Sequence, residues 1–207
     1  MPRISKEEKA KVREALLASA ANHFAAHGLA GANIDQISLD AGFAKGTVYN
    51  YFPSKRALFG AVLTAASLAT VQHAERLVTS GGARQQLRAL AEADVALVRR
   101  HPNVMKALLR EILAPNGADP DVLASLVPLL KRASGILEQG QREGQVRDDV
   151  SAAQLAQVFL GQLSMAYLQH WSGVGLPWED MAERVTLLFF EGAGCAHGAS
   201  IASFKTA

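Results

Sequence analysis

The stretch NIDQISLDAGFAKGTVYNYFPSKRALF, residues 33–59, reads as two short helices in quick succession and the start of a long one. Asn33 supplies an N-cap with Gln36 three residues on as its reciprocal partner, and Gly42 ends this short helix. The spacing predicts a third helix from about Lys45 to Tyr51. Pro53 stops it, and Ser54 caps a fourth. Phe43, Tyr49, Tyr51 and Phe52 put four aromatic rings inside ten residues of a chain that is only 6% aromatic, so their placement needs a reason. On a helix, Val48 and Phe52 fall four apart and turn toward a small core with Phe24 and Ile37, which leaves Lys45, Thr47, Tyr49, Asn50 and Tyr51 facing outward. That surface suits a DNA major groove. Lys45 can donate to guanine edges, Thr47 and the tyrosine rings can touch thymine methyls, and Gly46 keeps the start of the helix slim. Lys55, in the first turn of the fourth helix, can meet a phosphate beside free backbone N–H groups.

Outward from this segment the apolar spacing is helical nearly everywhere and β-branched alternation is absent, so the chain is all-α with about nine helices. Ser5 and Glu8 form a capping box, Val12, Leu16, Ala20 and Phe24 recur every fourth residue, and Gly28 stops the first helix, at about residues 6–27. The fourth helix continues through Leu58, Val62 and Leu68 to Gly81-Gly82. Further helices are predicted at about 83–100, 102–113 with Pro102 at the first position, and 121–143, which Pro128 kinks or splits. PNGADP, residues 115–120, is a loop. Ser151 and Gln154 open a helix to about Trp171, SGVGLP turns the chain at 172–177, and a last helix runs to about Glu191 before a weakly patterned tail from Gly192.

The string from Phe24 and Gly28 through residues 33–59 resembles the TetR family of transcriptional regulators. The resemblance implies that Lys45, Gly46, Thr47, Tyr49, Asn50 and Tyr51 occupy recognition-helix contact positions and that Lys55 lies on phosphate. Ala44 departs from it, standing where a capping hydroxyl is frequent, so about 1 kcal/mol of capping is missing. Asn33 stands where threonine is usual and caps equally well. Beyond about residue 60 the resemblance is architectural. It implies a helix-turn-helix DNA-binding domain at 1–53 and, at 54–207, a helical effector-binding and dimerisation domain whose last two helices pair with their copies. Leu163, Tyr167, Val185, Leu188 and Phe189 are the expected dimer contacts. The last helix is apolar over most of its circumference at Val185 and Leu187 through Phe190, more than one buried face requires.

The expected effector-binding residues are Met105, Leu109, Ile112, Leu130, Phe159, Gln162, Met165, His170 and Trp171. Ordinary core packing is the competing account of each. Gln162 and His170 stand out as polar groups on an otherwise apolar helix, able to orient a ligand.

Charge supports a nucleic-acid partner at the front of the chain. Residues 1–60 hold eight Lys/Arg against five Asp/Glu, whereas 61–207 hold thirteen against fourteen. The sequence has no phosphate loop, nucleophile elbow, zinc signature or Glu-x-x-His, so neither an enzyme nor a cofactor is expected and no residue is read as catalytic. His23 and His27 are four apart but adjoin apolar core and are not read as metal ligands, while Asp148-Asp149 and Asp119/Asp121 read as helix-start and solvated acids. Cys195 is the only cysteine, which excludes an intramolecular disulfide. The amino terminus lacks an apolar leader core and no run reaches the roughly 18 apolar residues of a membrane span, so a cytoplasmic location without a membrane partner is expected. The leading expectation is a homodimeric repressor released from a pseudo-palindromic double-stranded DNA operator by a small, largely apolar effector. An activator of the same family and a helical adaptor using Tyr49 and Tyr51 on another protein remain alternatives.

Overall fold

The computed structural model describes residues 5–78, 80–115 and 119–192. All regular structure among them is helical, in the order α1 (Lys6–Gly31), α2 (Ile34–Asp40), a 3-10 turn (Thr47–Asn50), α3 (Lys55–Leu77), α4 (Ala83–Arg100), α5 (Pro102–Ile112), α6 (Pro120–Ala124), α7 (Val127–Arg142), α8 (Ala152–Trp171) and α9 (Trp178–Glu191). The tail beyond Gly192, with Cys195, lies outside the described residues.

Local chemistry sets most of these limits. Both halves of the first capping box form, with the Glu8 amide donating to Ser5 Oγ at 3.0 Å and the Ser5 amide donating to Glu8 Oε2 at 2.8 Å. Gly28 takes a left-handed φ of +66° and kinks α1, after which one more turn follows to Gly31. Asn33 caps α2 by accepting from the Asp35 and Gln36 amides, but Gln36 does not reach back to complete a box. Its side chain donates instead to Asp40 Oδ1, one turn on, at 2.6 Å. Pro128 splits the expected 121–143 helix: α6 ends at Ala124, and α7 begins with the proline in its first turn, where a missing N–H costs nothing.

The third helix is the main departure. No α-helix forms from Lys45 to Tyr51; the chain makes one 3-10 turn over four residues. Gly46 precedes it in the left-handed region at φ +76°, and no side chain at that position caps the turn. The missing hydroxyl at Ala44 is compensated from elsewhere, because the buried Ser38 of α2 accepts from the Val48 amide at 3.3 Å.

Two cores organise the molecule. The first joins α1, α2, the 3-10 turn, the beginning of α3, α5 and α6 around Leu16, Phe24, Ile37, Val48, Phe52 and Phe59. Phe24 and Phe59 meet edge to face at 5.0 Å. This core runs past residue 53 along α3 as far as Leu63 and draws in Ala107, Leu108 and Val122. The second core packs α4, α7, α8 and α9 and takes Val71 and Ala74 from the far end of α3. By length and composition alone α3 is apolar enough to cross a membrane, but its apolar surface packs against α1, α4, α6 and α7.

Phe24→Ala should lower the free energy of unfolding by about 3–5 kcal/mol in urea denaturation, because it opens a cavity where two elements of the first core interlock. Leu68→Ala, at a site on α3 that is 48% exposed, should cost under about 0.5 kcal/mol.

Candidate nucleic-acid interface and effector cavity

On the turn after α2, Lys45, Tyr49 and Asn50 are exposed, whereas Thr47 is half-buried. Tyr51 does not project freely as expected; it is half-buried against the first core. The reason is the tighter turn. In a 3-10 helix residues three apart eclipse, so Tyr51 follows the buried Val48. Lys55 Nζ donates to the Ala30 carbonyl at 2.9 Å, tying the end of α1 to the start of α3, and partial burial lowers its pKa. Two of its three N–H groups stay available. Lys6, Lys9 and Arg13 share a surface groove with Asn50 and Tyr51, and the Arg13 guanidinium lies 5.1 Å from the centre of the Phe52 ring. These three cations were not singled out in the sequence. Their i, i+3, i+7 spacing on one face of α1 was the available signal.

A cavity of about 580 Å³ lies where the two cores meet. Its walls come from α1 (Leu17, Ala21), α3 (Val62, Ala66, Thr70), α4 (Asp94, Leu97), α5, α7 (Leu129, Leu130) and α8 (Gln157, Leu160, Gly161, Ser164). Of the expected effector residues, Met105, Leu109, Ile112 and Leu130 line it. Phe159, Gln162, Met165, His170 and Trp171 do not. Phe159 is fully buried against Phe189 at 5.2 Å, Gln162 is half-buried, and Met165 is exposed on the outside of α8. His170 Nδ1 bonds the Leu176 carbonyl at 2.8 Å, and Trp171 packs near Tyr167 with the Lys106 ammonium 5.1 Å above its ring. The α8 residues that meet the cavity are Gln157, Leu160, Gly161 and Ser164; α8 carries apolar residues on several sides, so periodicity leaves its rotation open.

The cavity's polar groups went unread in the sequence. Asp94 is buried, and its Oδ2 accepts from the Tyr167 hydroxyl at 2.6 Å. Burial pushes its pKa up to about 6, with the tyrosine hydrogen bond pulling the other way. Burial and the neighbouring Asp94 charge raise the Tyr167 hydroxyl well above the usual phenol range. Thr70 Oγ1 is buried with no hydrogen-bond partner among the described residues. The spacing Leu87, Leu90, Asp94, Val98 places the acid in the buried stripe of α4, a legible anomaly.

Three of the five expected dimer residues face inward: Leu163, Tyr167 and Val185 belong to the chain's own second core. Phe189 is half-buried between Phe159 and Phe190, and Leu188 is 51% exposed. The apolar residues that α8 and α9 leave open are Val158, Met165 and Leu188. Elsewhere, His23 Nε2 pairs with Asp40 Oδ2 at 2.8 Å and holds that carboxyl below its usual range. No group of three metal-ligating side chains occurs among the described residues.

The architecture is a helix-turn-helix unit joined through one continuous helix to a helical body with a largely apolar cavity. Residues 16–62 match the family profile described as "Bacterial regulatory proteins, tetR family". The fold as a whole is shared with FadR from Thermus thermophilus, a TetR-family transcriptional repressor in complex with lauroyl-CoA, at a TM-score of 0.72 and 20% identity over 91% of this chain and 98% of that one. The regulator FadR from Bacillus subtilis in complex with stearoyl-CoA gives a TM-score of 0.71 at 16% identity, over 87% and 99% of the two chains. A protein of unknown function from Rhodococcus sp. RHA1 gives 0.68 at 23% identity, over 87% and 94%. No curated protein sequence matches this chain. The family match thus covers the helix-turn-helix segment, and the remainder of the chain shares the fold of these regulators.

The Asp94 shift sets a pH dependence. Its pKa in the folded chain, about 6, lies above the ordinary 3.8, so the native state binds the proton more tightly than the unfolded state does. Stability therefore falls as pH rises from about 4 to about 6, and the full cost of the buried charge, on the order of 3 kcal/mol, is present above that range. Between pH 4.5 and 7.5 the wild type should lose stability relative to Asp94→Asn by up to that amount, measured by urea denaturation of both proteins at each pH.

Proposed function

We propose that the protein is a cytoplasmic homodimeric repressor that leaves a pseudo-palindromic operator when a small, largely apolar effector fills the cavity. The observation that carries the reading is the position of α3. Its first turn follows the Gly46–Asn50 turn directly, and Val62, Ala66 and Thr70 on the same helix form a cavity wall. A ligand that shifts this wall tilts the DNA-reading turn. Two half-sites on a stiff duplex cannot follow a change in the separation of two readers, so one contact is lost. The acyl-CoA complexes of the two FadR neighbours support an effector with a substantial apolar part.

Lys45, Gly46, Thr47, Tyr49 and Asn50 present the base-reading surface. Tyr51 supports it from beneath, and Lys6, Lys9, Arg13 and Lys55 flank it as phosphate contacts. Lys45→Ala and Thr47→Ala should each reduce discrimination between operator and random duplex by about 1–3 kcal/mol. Lys55→Ala should weaken binding to all duplexes alike. Gel shifts across a salt series check both, and unchanged operator affinity in Lys45→Ala and Lys55→Ala would defeat the assignment of this surface.

The dimer face is the outer side of α8 and α9, where Val158, Met165 and Leu188 stand exposed. A second copy laid on this face hides them from water. Leu188→Glu places a charge at its centre and should yield monomer at micromolar concentration in sedimentation velocity, with operator affinity falling in parallel.

A further inference from the structure

The cavity wall is mostly apolar, with neutral polar side chains such as Asn22, Gln157 and Ser164 scattered over it and one carboxylate, Asp94, on the α4 side next to α3. The hydrogen bond found for the Asp94 carboxylate among the described residues is the one that Oδ2 accepts from Tyr167, which leaves Oδ1 able to accept from a ligand in the cavity. Thr70, 3% exposed and also lining the cavity, leaves its hydroxyl without a partner among the described residues. Buried polar groups are almost always paired, so an unsatisfied hydroxyl on the same cavity as a carboxylate with one hydrogen bond marks the position of a missing partner. The charge balance gives that partner its sign. Among the described lining residues the only ionisable side chains are Asp94 and His101, and no Lys or Arg is present. His101 caps the end of α4 about two turns beyond Asp94.

We infer that the cavity selects an apolar amine, whose ammonium group is held by Asp94 Oδ1 and Thr70 Oγ1 while its hydrocarbon part fills the remaining space. This rests on the reading of the cavity as the effector site. An ammonium carries three donors and no acceptor, which matches a carboxylate oxygen and a hydroxyl oxygen that can both accept. The pair also cancels a buried charge, and charge-assisted hydrogen bonds are about twice as strong as neutral ones. A carboxylate head would place like charge beside Asp94 with no lining Lys or Arg to offset it. The volume, about 580 Å³, lies within the range of sites that enclose small molecules.

The test titrates the full chain with decylamine, sodium decanoate and lauroyl-CoA at pH 7.5 by isothermal calorimetry, alone and bound to operator duplex. Decylamine should bind at least tenfold more tightly than decanoate and should release the duplex. Asp94→Asn should weaken decylamine at least tenfold without weakening decanoate, and Thr70→Val should weaken decylamine about threefold or more. Should Asp94→Asn fail to melt cooperatively, the wild-type preference and Thr70→Val decide the matter. Decanoate or lauroyl-CoA binding more tightly than decylamine, or a folded Asp94→Asn that binds decylamine as well as wild type, would overturn the amine assignment. If one of those two anionic ligands also released the duplex, the regulator reading would stand without it. If no probe bound, the amine assignment and the cavity's role as effector site would fall together.

Discussion

Everything in this molecule is referred to α3, because one helix has to serve two cores. Leu58, Phe59, Val62 and Leu63 commit its first half to the amino-terminal core, and Val71 and Ala74 commit its last turns to the larger carboxy-terminal one. Between those commitments it faces the cavity through Ala66, Ser67 and Thr70. A helix fixed at both ends by interlocked side chains moves as a rod, since close-packed interiors transmit displacement. That is why a cavity without any direct contact to Lys45 or Tyr49 is mechanically connected to them. The strong apolarity of α3 has the same origin: it is used up on four neighbouring helices and a cavity wall.

The turn proposed to face DNA shows how little regular structure is needed when its neighbours hold it. Four residues of 3-10 helix would not persist alone. Here Ser38 takes up the Val48 amide, Val48 is sealed into the first core, and Lys55 ties the carbonyl end of α1 to the start of α3. Gly46 makes the reversal possible at φ +76°, where a side chain would add strain. The exposed residues Lys45, Tyr49 and Asn50 are thus mounted on a support fixed from three sides, which suits the proposed reading of bases by side chains.

Polar groups inside apolar surroundings locate chemistry more sharply than the apolar lining does. Most of the cavity wall consists of side chains that would pack equally well in a solid core. Asp94 and Thr70 would not, since a buried carboxylate with one hydrogen bond and a buried hydroxyl with none among the described residues both raise the energy of the empty protein. A ligand able to satisfy them regains that free energy on binding, and the same groups discriminate against heads of the wrong sign.

Much of this protein was legible in its sequence, for reasons of local chemistry. Capping residues, glycine stops and prolines act over three or four positions, so Ser5, Asn33, Ser54, Ser151 and Pro128 announced the limits of five helices. The run at residues 33–59 likewise carried its family resemblance in its residues, and the family profile matches across it. What the sequence left open was rotation about helix axes and the shape of a turn held from outside. On α8, apolar residues occur on more than one side, and only packing against α4, α7 and α9 decided that Phe159, Leu163 and Tyr167 turn inward, Leu160 and Ser164 meet the cavity, and Val158 and Met165 remain outside. The turn at Thr47–Asn50 is 3-10 rather than α because Ser38 and Gly46 govern it together, and their meeting is a tertiary event. Local rules fix where helices begin and end; which face each one buries is settled by competition among all the surfaces that want the same core.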